Sequence, residues 1–69
     1  MYVVTAEKTG KFEIYNQRRK KVVFKGTDRM MKAKAGTSYE FASCDDMLAT
    51  LCKWVSISTF RKVTRMLRP

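Results

Sequence analysis

Two groups of cations are the residues whose type and spacing could do chemistry in this chain. Arg18-Arg19-Lys20-Lys21 are four consecutive basic residues, and Arg61, Arg65 and Arg68 recur at i, i+4 and i+7 with Lys62 beside them. Such groups donate hydrogen bonds to phosphate or carboxylate oxygens without making or breaking bonds. Little else in the chain could be catalytic. It has no His, its six acids are scattered through turns, strands and one helix start, and it has no Gly-rich phosphate loop. No nucleophile–base pair can be assembled from these residues, so an enzyme is not expected and no cofactor is implied. Two Cys without His cannot complete a zinc site, so no metal is expected either.

The balance of charge points the same way. Fifteen Lys and Arg against six Asp and Glu give a net charge of +9. A surface potential of that sign favours nucleic acid, an anionic membrane surface or an acidic protein as partner. The membrane is the weakest of the three: no apolar run approaches the ~20 residues of a span, and the start of the chain has no signal-like apolar stretch. Cys44 and Cys52 stand eight apart in one predicted helix, about 12 Å along its axis, which is too far for a disulfide. They read as two buried, reduced thiols, and a soluble cytoplasmic setting follows from that reading.

With 69 residues the chain is expected to be a single domain, 1–69, with a thin core. A partner, or self-association as a homodimer, would add to such a core.

The elements that must position the cations come in order. Tyr2–Ala6 is rich in β-branched and aromatic residues and reads as a strand. Glu7-Lys8-Thr9-Gly10 forms the next turn, with Gly10 suited to the left-handed position. Lys11–Tyr15 alternates, with Phe12 and Ile14 on one face and Lys11, Glu13 and Tyr15 on the other. Asn16–Arg19 begins a second turn, so the four cations sit at a hairpin tip. Lys20–Lys25 is a third strand, with Val22 and Phe24 on one face and Val23 on the other, and Gly26-Thr27-Asp28 breaks it. Arg29–Ala35 alternates weakly and reads as a strand, although its Ala, Met and Lys also suit a helix. Ser38–Ala42 is a further strand with Tyr39 and Phe41 facing together.

Ser43 then opens a helix, with Ser43 as N-cap and Asp46 three residues on. Cys44, Met47, Leu48, Leu51, Cys52 and Val55 form its apolar stripe. Ser58 caps a second helix, Thr59–Arg68, whose buried face is Phe60, Val63 and Leu67 with Met66 beside them. The fold expected is α+β: an antiparallel β-meander of three to five strands followed by two C-terminal α-helices.

Ala49, Val55-Ser56 and Ser58-Thr59-Phe60, with Val63 and Leu67 behind them, give Leu48–Leu67 a pattern that resembles the helix-turn-helix of DNA-binding regulators. That resemblance implies that Ser58, Arg61, Lys62 and Arg65 face a DNA groove. Lys53-Trp54 stand where the family carries Gly, and the interval from Ala49 to Val55 is one residue longer. The same residues also describe an ordinary αα-hairpin with a solvated basic face. Trp54 lies off the apolar stripe and suits a partner interface. Tyr15, beside the tip, suits stacking on a base.

Two functions fit these residues. One is a small basic accessory or regulatory protein that binds DNA or RNA mainly through phosphate contacts, with Arg18, Arg19, Lys20, Lys21, Arg61, Lys62, Arg65 and Arg68 as the binding set. The other is a protein-interaction module, an inhibitor or adaptor of the kind that phages and mobile elements encode, which sets the same basic face against an acidic surface of a larger host protein.

Overall fold

The structure, a computed structural model, describes residues 1–68; Pro69 lies outside the described residues. Four antiparallel strands form one sheet, and two helices follow it: β1 Tyr2–Ala6, β2 Lys11–Asn16, β3 Lys21–Thr27, β4 Ser38–Phe41, α1 Cys44–Trp54 and α2 Ile57–Leu67. This is the α+β arrangement that the sequence patterns predict. The first three strands run as a meander, and β4 then crosses to the far side, giving the order β3-β2-β1-β4.

Alternation builds the core. Val4 of β1 and Phe12 and Ile14 of β2 face inward, where α1 supplies Met47, Leu48 and Leu51 and α2 supplies Val63. Val55, between the helices, closes the cluster. Leu51 and Met47 are fully buried, and truncating either to Ala costs about 2–5 kcal/mol, a large part of what so small a domain can hold.

β3 departs from simple alternation. The register shifts between Ile14 and Tyr15, so that Ile14 pairs Phe24 while Tyr15 pairs Val22. A bulge leaves Val23 without an opposite residue. Val23 therefore packs against the core with Phe24, and Val22 is exposed, the reverse of the faces expected for these valines. Gly26 lies inside the strand and does not break it. A Cβ there would stand 2.7 Å from the Phe24 ring, which stacks on Phe12 at 5.7 Å.

The segment Arg29–Ala35 is neither strand nor helix, because its amides find partners that belong to no ladder. Met30 N–H donates to the Asp28 carboxylate (2.8 Å), Met31 N–H to the Asp28 carbonyl (3.0 Å), and Lys32 N–H to the Trp54 carbonyl at the end of α1 (3.0 Å). The connection is thus tied to the helices as it passes the end of the sheet.

Asp28 is its anchor. The residue is only 6% exposed, yet it carries a carboxylate. One oxygen accepts from the Ser56 amide (2.9 Å) and the Ser56 hydroxyl (2.7 Å), and the other from Met30. Burial by itself would raise the Asp28 pKa. Hydrogen bonds from the Thr59 and Ser56 hydroxyls and from the Ser56 and Met30 amides outweigh it and hold the carboxyl well below the usual range. The carboxylate also sits at the first turn of α2, where the helix dipole favours negative charge. The expected cap at Ser58 is displaced: Ser56 is the N-cap, and its hydroxyl serves Asp28. The backbone of Asp28 is fixed as well, since its amide donates to the Gly10 carbonyl at 2.9 Å. Gly10 has φ +78°, and a Cβ on it would lie 2.3 Å from the Asp28 carbonyl oxygen, so both conformation and space demand glycine.

Asp28→Ala should therefore lower unfolding free energy in urea at pH 7 by about 3 kcal/mol or more, because several buried donors lose a charged acceptor. A depressed carboxylate pKa contributes stability above the unfolded value of about 3.9 and loses it as pH falls below that value. Wild-type stability should begin to fall near pH 4 and go on falling below pH 3 until the lowered folded-state pKa is passed, and Asp28→Asn should remove that part of the acid sensitivity.

Candidate polyanion-binding surface

The hairpin tip is built by Asn16. This residue is buried, and its side-chain oxygen accepts from the amides of Arg18 (2.9 Å) and Arg19 (3.1 Å). Such an Asx turn needs a short side-chain carbonyl at its first position. Lys20 takes a left-handed backbone (φ 54°), and Lys21 starts β3. Arg18, Arg19, Lys20 and Lys21 are all exposed.

On α2, packing decides which residues remain outside. Val63 and Thr59 are buried and Phe60 and Leu67 half-buried, which leaves Ile57, Ser58, Arg61, Lys62, Arg65 and Met66 in solvent. Thr59 takes an inward place because it serves Asp28, and Met66, expected against the core, is 62% exposed. Arg68 lies beyond the last turn. Its guanidinium donates to the Asp45 carboxylate of α1 at 2.7 Å, so its charge is already partnered. Among the described residues, it is the one member of the eight-residue set with an ion pair.

Folding brings the two cation groups together. α2 lies over β3, and a shallow trough of about 490 Å³ runs between them, lined by Val22, Val23, Phe24, Lys25, Lys62, Arg65 and Met66. The adjoining depression is walled by Arg19 and Lys21 from the tip and by Met66 and Leu67 from α2. Arg19, Lys21, Lys25, Lys62 and Arg65 therefore border one connected surface. Arg61 is exposed on α2 but lines neither depression. Lys25 also meets Glu13 across the strands at 3.8 Å, an exposed contact that offsets little of its charge. Lys25 is a sheet cation outside the eight-residue set, and it joins this surface through the pairing of β3 with α2, which its local sequence does not carry.

The helix pair has a two-residue corner, Val55-Ser56, and Ser58, Arg61, Lys62 and Arg65 are exposed on its second helix. Ala49, the small residue in the helix-turn-helix pattern, is exposed too. Trp54 has an internal role: its ring lies 4.8 Å from Tyr39 and 6.1 Å from Phe41, which fastens α1 to β4. Tyr15 is half-buried on the outer sheet face opposite Val3.

The two thiols differ. Cys44 is half-buried, and burial pushes its pKa up, with Arg68 opposing and Asp45 reinforcing that shift. Cys52, expected in the core, is exposed, with its thiol donating to the Ala49 carbonyl at 3.1 Å. It falls at the edge of a stripe that Leu48, Leu51 and Val55 already fill. Among the described residues, no group of three or more His, Cys, Asp and Glu could hold a metal ion, and no helix is long and apolar enough to cross a membrane. Comparison of the chain with protein-family models, curated proteins and solved structures found no match.

Alkylation with iodoacetamide at pH 8 should modify Cys52 faster than Cys44 by on the order of tenfold, read by peptide mass mapping, because Cys52 is exposed whereas burial both shields the Cys44 thiol and raises its pKa.

Proposed function

We propose that this protein binds nucleic acid, mainly through phosphate contacts, using the hairpin tip and the exposed side of α2 as a single surface. The observation that supports this most is the adjacency of Arg19 and Lys21 to Met66 and Leu67, with Lys62 and Arg65 on the same helix. Cations more than forty residues apart in sequence thereby border one face, and none of these four has a carboxylate partner among the described residues. Phosphates along one strand could be met in turn by Arg18, Arg19, Lys20 and Lys21 and then by Lys62, Arg65 and Arg61. Arg68 contributes less, being held by Asp45. The longest dimension of the molecule is 28 Å. That length matches about eight base pairs at ~3.4 Å each. Nothing on this surface selects a base, so the contacts would set affinity and orientation, and sequence preference is expected to be weak.

Fluorescence anisotropy with a labelled twelve-base-pair duplex and a labelled single strand of the same length tests the reading. For the duplex, log K should fall with log salt with a slope no steeper than about −6, since each neutralised phosphate contributes about 0.9. Replacing Lys62 and Arg65 by Ala should make that slope shallower by about 2 and weaken binding equally for unrelated sequences. Unchanged affinity at low salt after removal of both the tip and the α2 charges would rule the reading out.

A further inference from the structure

The trough between β3 and α2 has two features that phosphate binding does not use, an apolar floor and an open strand edge, beside the Lys62 and Arg65 that it shares with that reading. Its floor is apolar, with Val23, Phe24 and Met66 on the α2 side and Val22 on the other face of the strand, and of these Val22 and Met66 are exposed. Its rim is cationic, with Lys25 on the strand and Lys62 and Arg65 on the helix. Along one side runs the outer edge of β3, which pairs only with β2, so its other row of backbone groups has no strand partner among the described residues.

We propose that this trough docks an extended acidic segment of a partner protein, which adds to the open edge of β3 as a further strand. Backbone hydrogen bonds to β3 would hold the segment. On the α2 side its carboxylates would meet Lys62 and Arg65, and the intervening aliphatic side chains, on the other face, would cover Val22. Charge selects this occupant over a second copy of the chain, because two β3 edges brought together would set Lys21 and Lys25 against their own kind in molecules that each carry +9. The floor selects it over nucleic acid. Bases stack on open aromatic faces, whereas the one ring here, Phe24, is already stacked on Phe12, and the exposed part of the floor is aliphatic.

The experiment uses the full chain and a fluorescein-labelled synthetic nonapeptide that alternates Glu with Val and Leu. Anisotropy should give saturable binding, and amide hydrogen exchange should slow in Lys21–Thr27. Val22→Ser together with Met66→Ser should weaken the peptide about tenfold and leave duplex binding unchanged, since both side chains are exposed and uncharged. Replacing Arg18, Arg19 and Lys20 by Ser should do the opposite, so failure here is distinguishable from failure of phosphate binding. Three results would each overturn the proposal: no slowing of exchange in β3, equal affinity for a peptide with Gln in place of Glu, or protection of the same amides by an oligo-thymidine strand instead of by the peptide.

Discussion

The buried carboxylate of Asp28 is the interaction on which the rest of this small protein depends. It stands at the end of β3, where the chain leaves the sheet, and it accepts from the amide and hydroxyl of Ser56, where the second helix begins. Its backbone is bonded to Gly10 in the first hairpin. One residue thereby links the β1–β2 turn, the exit from β3 and the start of α2. A buried charge is costly unless its hydrogen bonds are satisfied, and here four donors, the Thr59 and Ser56 hydroxyls and the Ser56 and Met30 amides, outweigh the cost of burial. The lowered pKa and the position of α2 have the same origin.

The position of α2 has a consequence for the surface. Anchored at Ser56 and Thr59, the helix lies along β3 with Val63 inward, and Lys62, Arg65 and Met66 are left beside the bulged strand. The bulge matters as much as the helix, because it turns Val23 inward with Phe24 and leaves Val22 exposed on the other face of the strand. Asn16 shapes the tip at the other end through its two amide contacts. The basic surface thus rests on two short polar side chains, Asp28 and Asn16, neither of which would contact a ligand.

Much of the architecture was legible in the residues. The clean alternation of Lys11–Tyr15, the turn glycine at position 10 and the Ser43–Asp46 cap all specify their elements locally, and each forms as expected: the Asp46 amide donates to the Ser43 hydroxyl at 3.1 Å. What was not legible depended on contacts distant in sequence. Arg29–Ala35 has the alternation of a strand, but its amides are taken by Asp28 and Trp54. Ser56 and Ser58 are equally good caps by type, and only the approach of Asp28 from twenty-eight residues away selects Ser56. Cys52 and Met66 lie on or beside the apolar side of their helices by spacing and yet are exposed. Both cation groups could be named from sequence. Their adjacency could not, since it follows from the pairing of β3 with α2 and from a strand order that carries β4 to the opposite edge.

The central claim is that the tip and α2 act as one binding surface. An NMR titration of the isotope-labelled chain with a twelve-base-pair duplex at low salt tests it most directly. The account predicts that amide signals of Arg18–Lys21 and of Arg61–Arg65 move together along one saturation curve and return together as salt is added. Shifts confined to one of the two groups, or two curves with different midpoints, would contradict it.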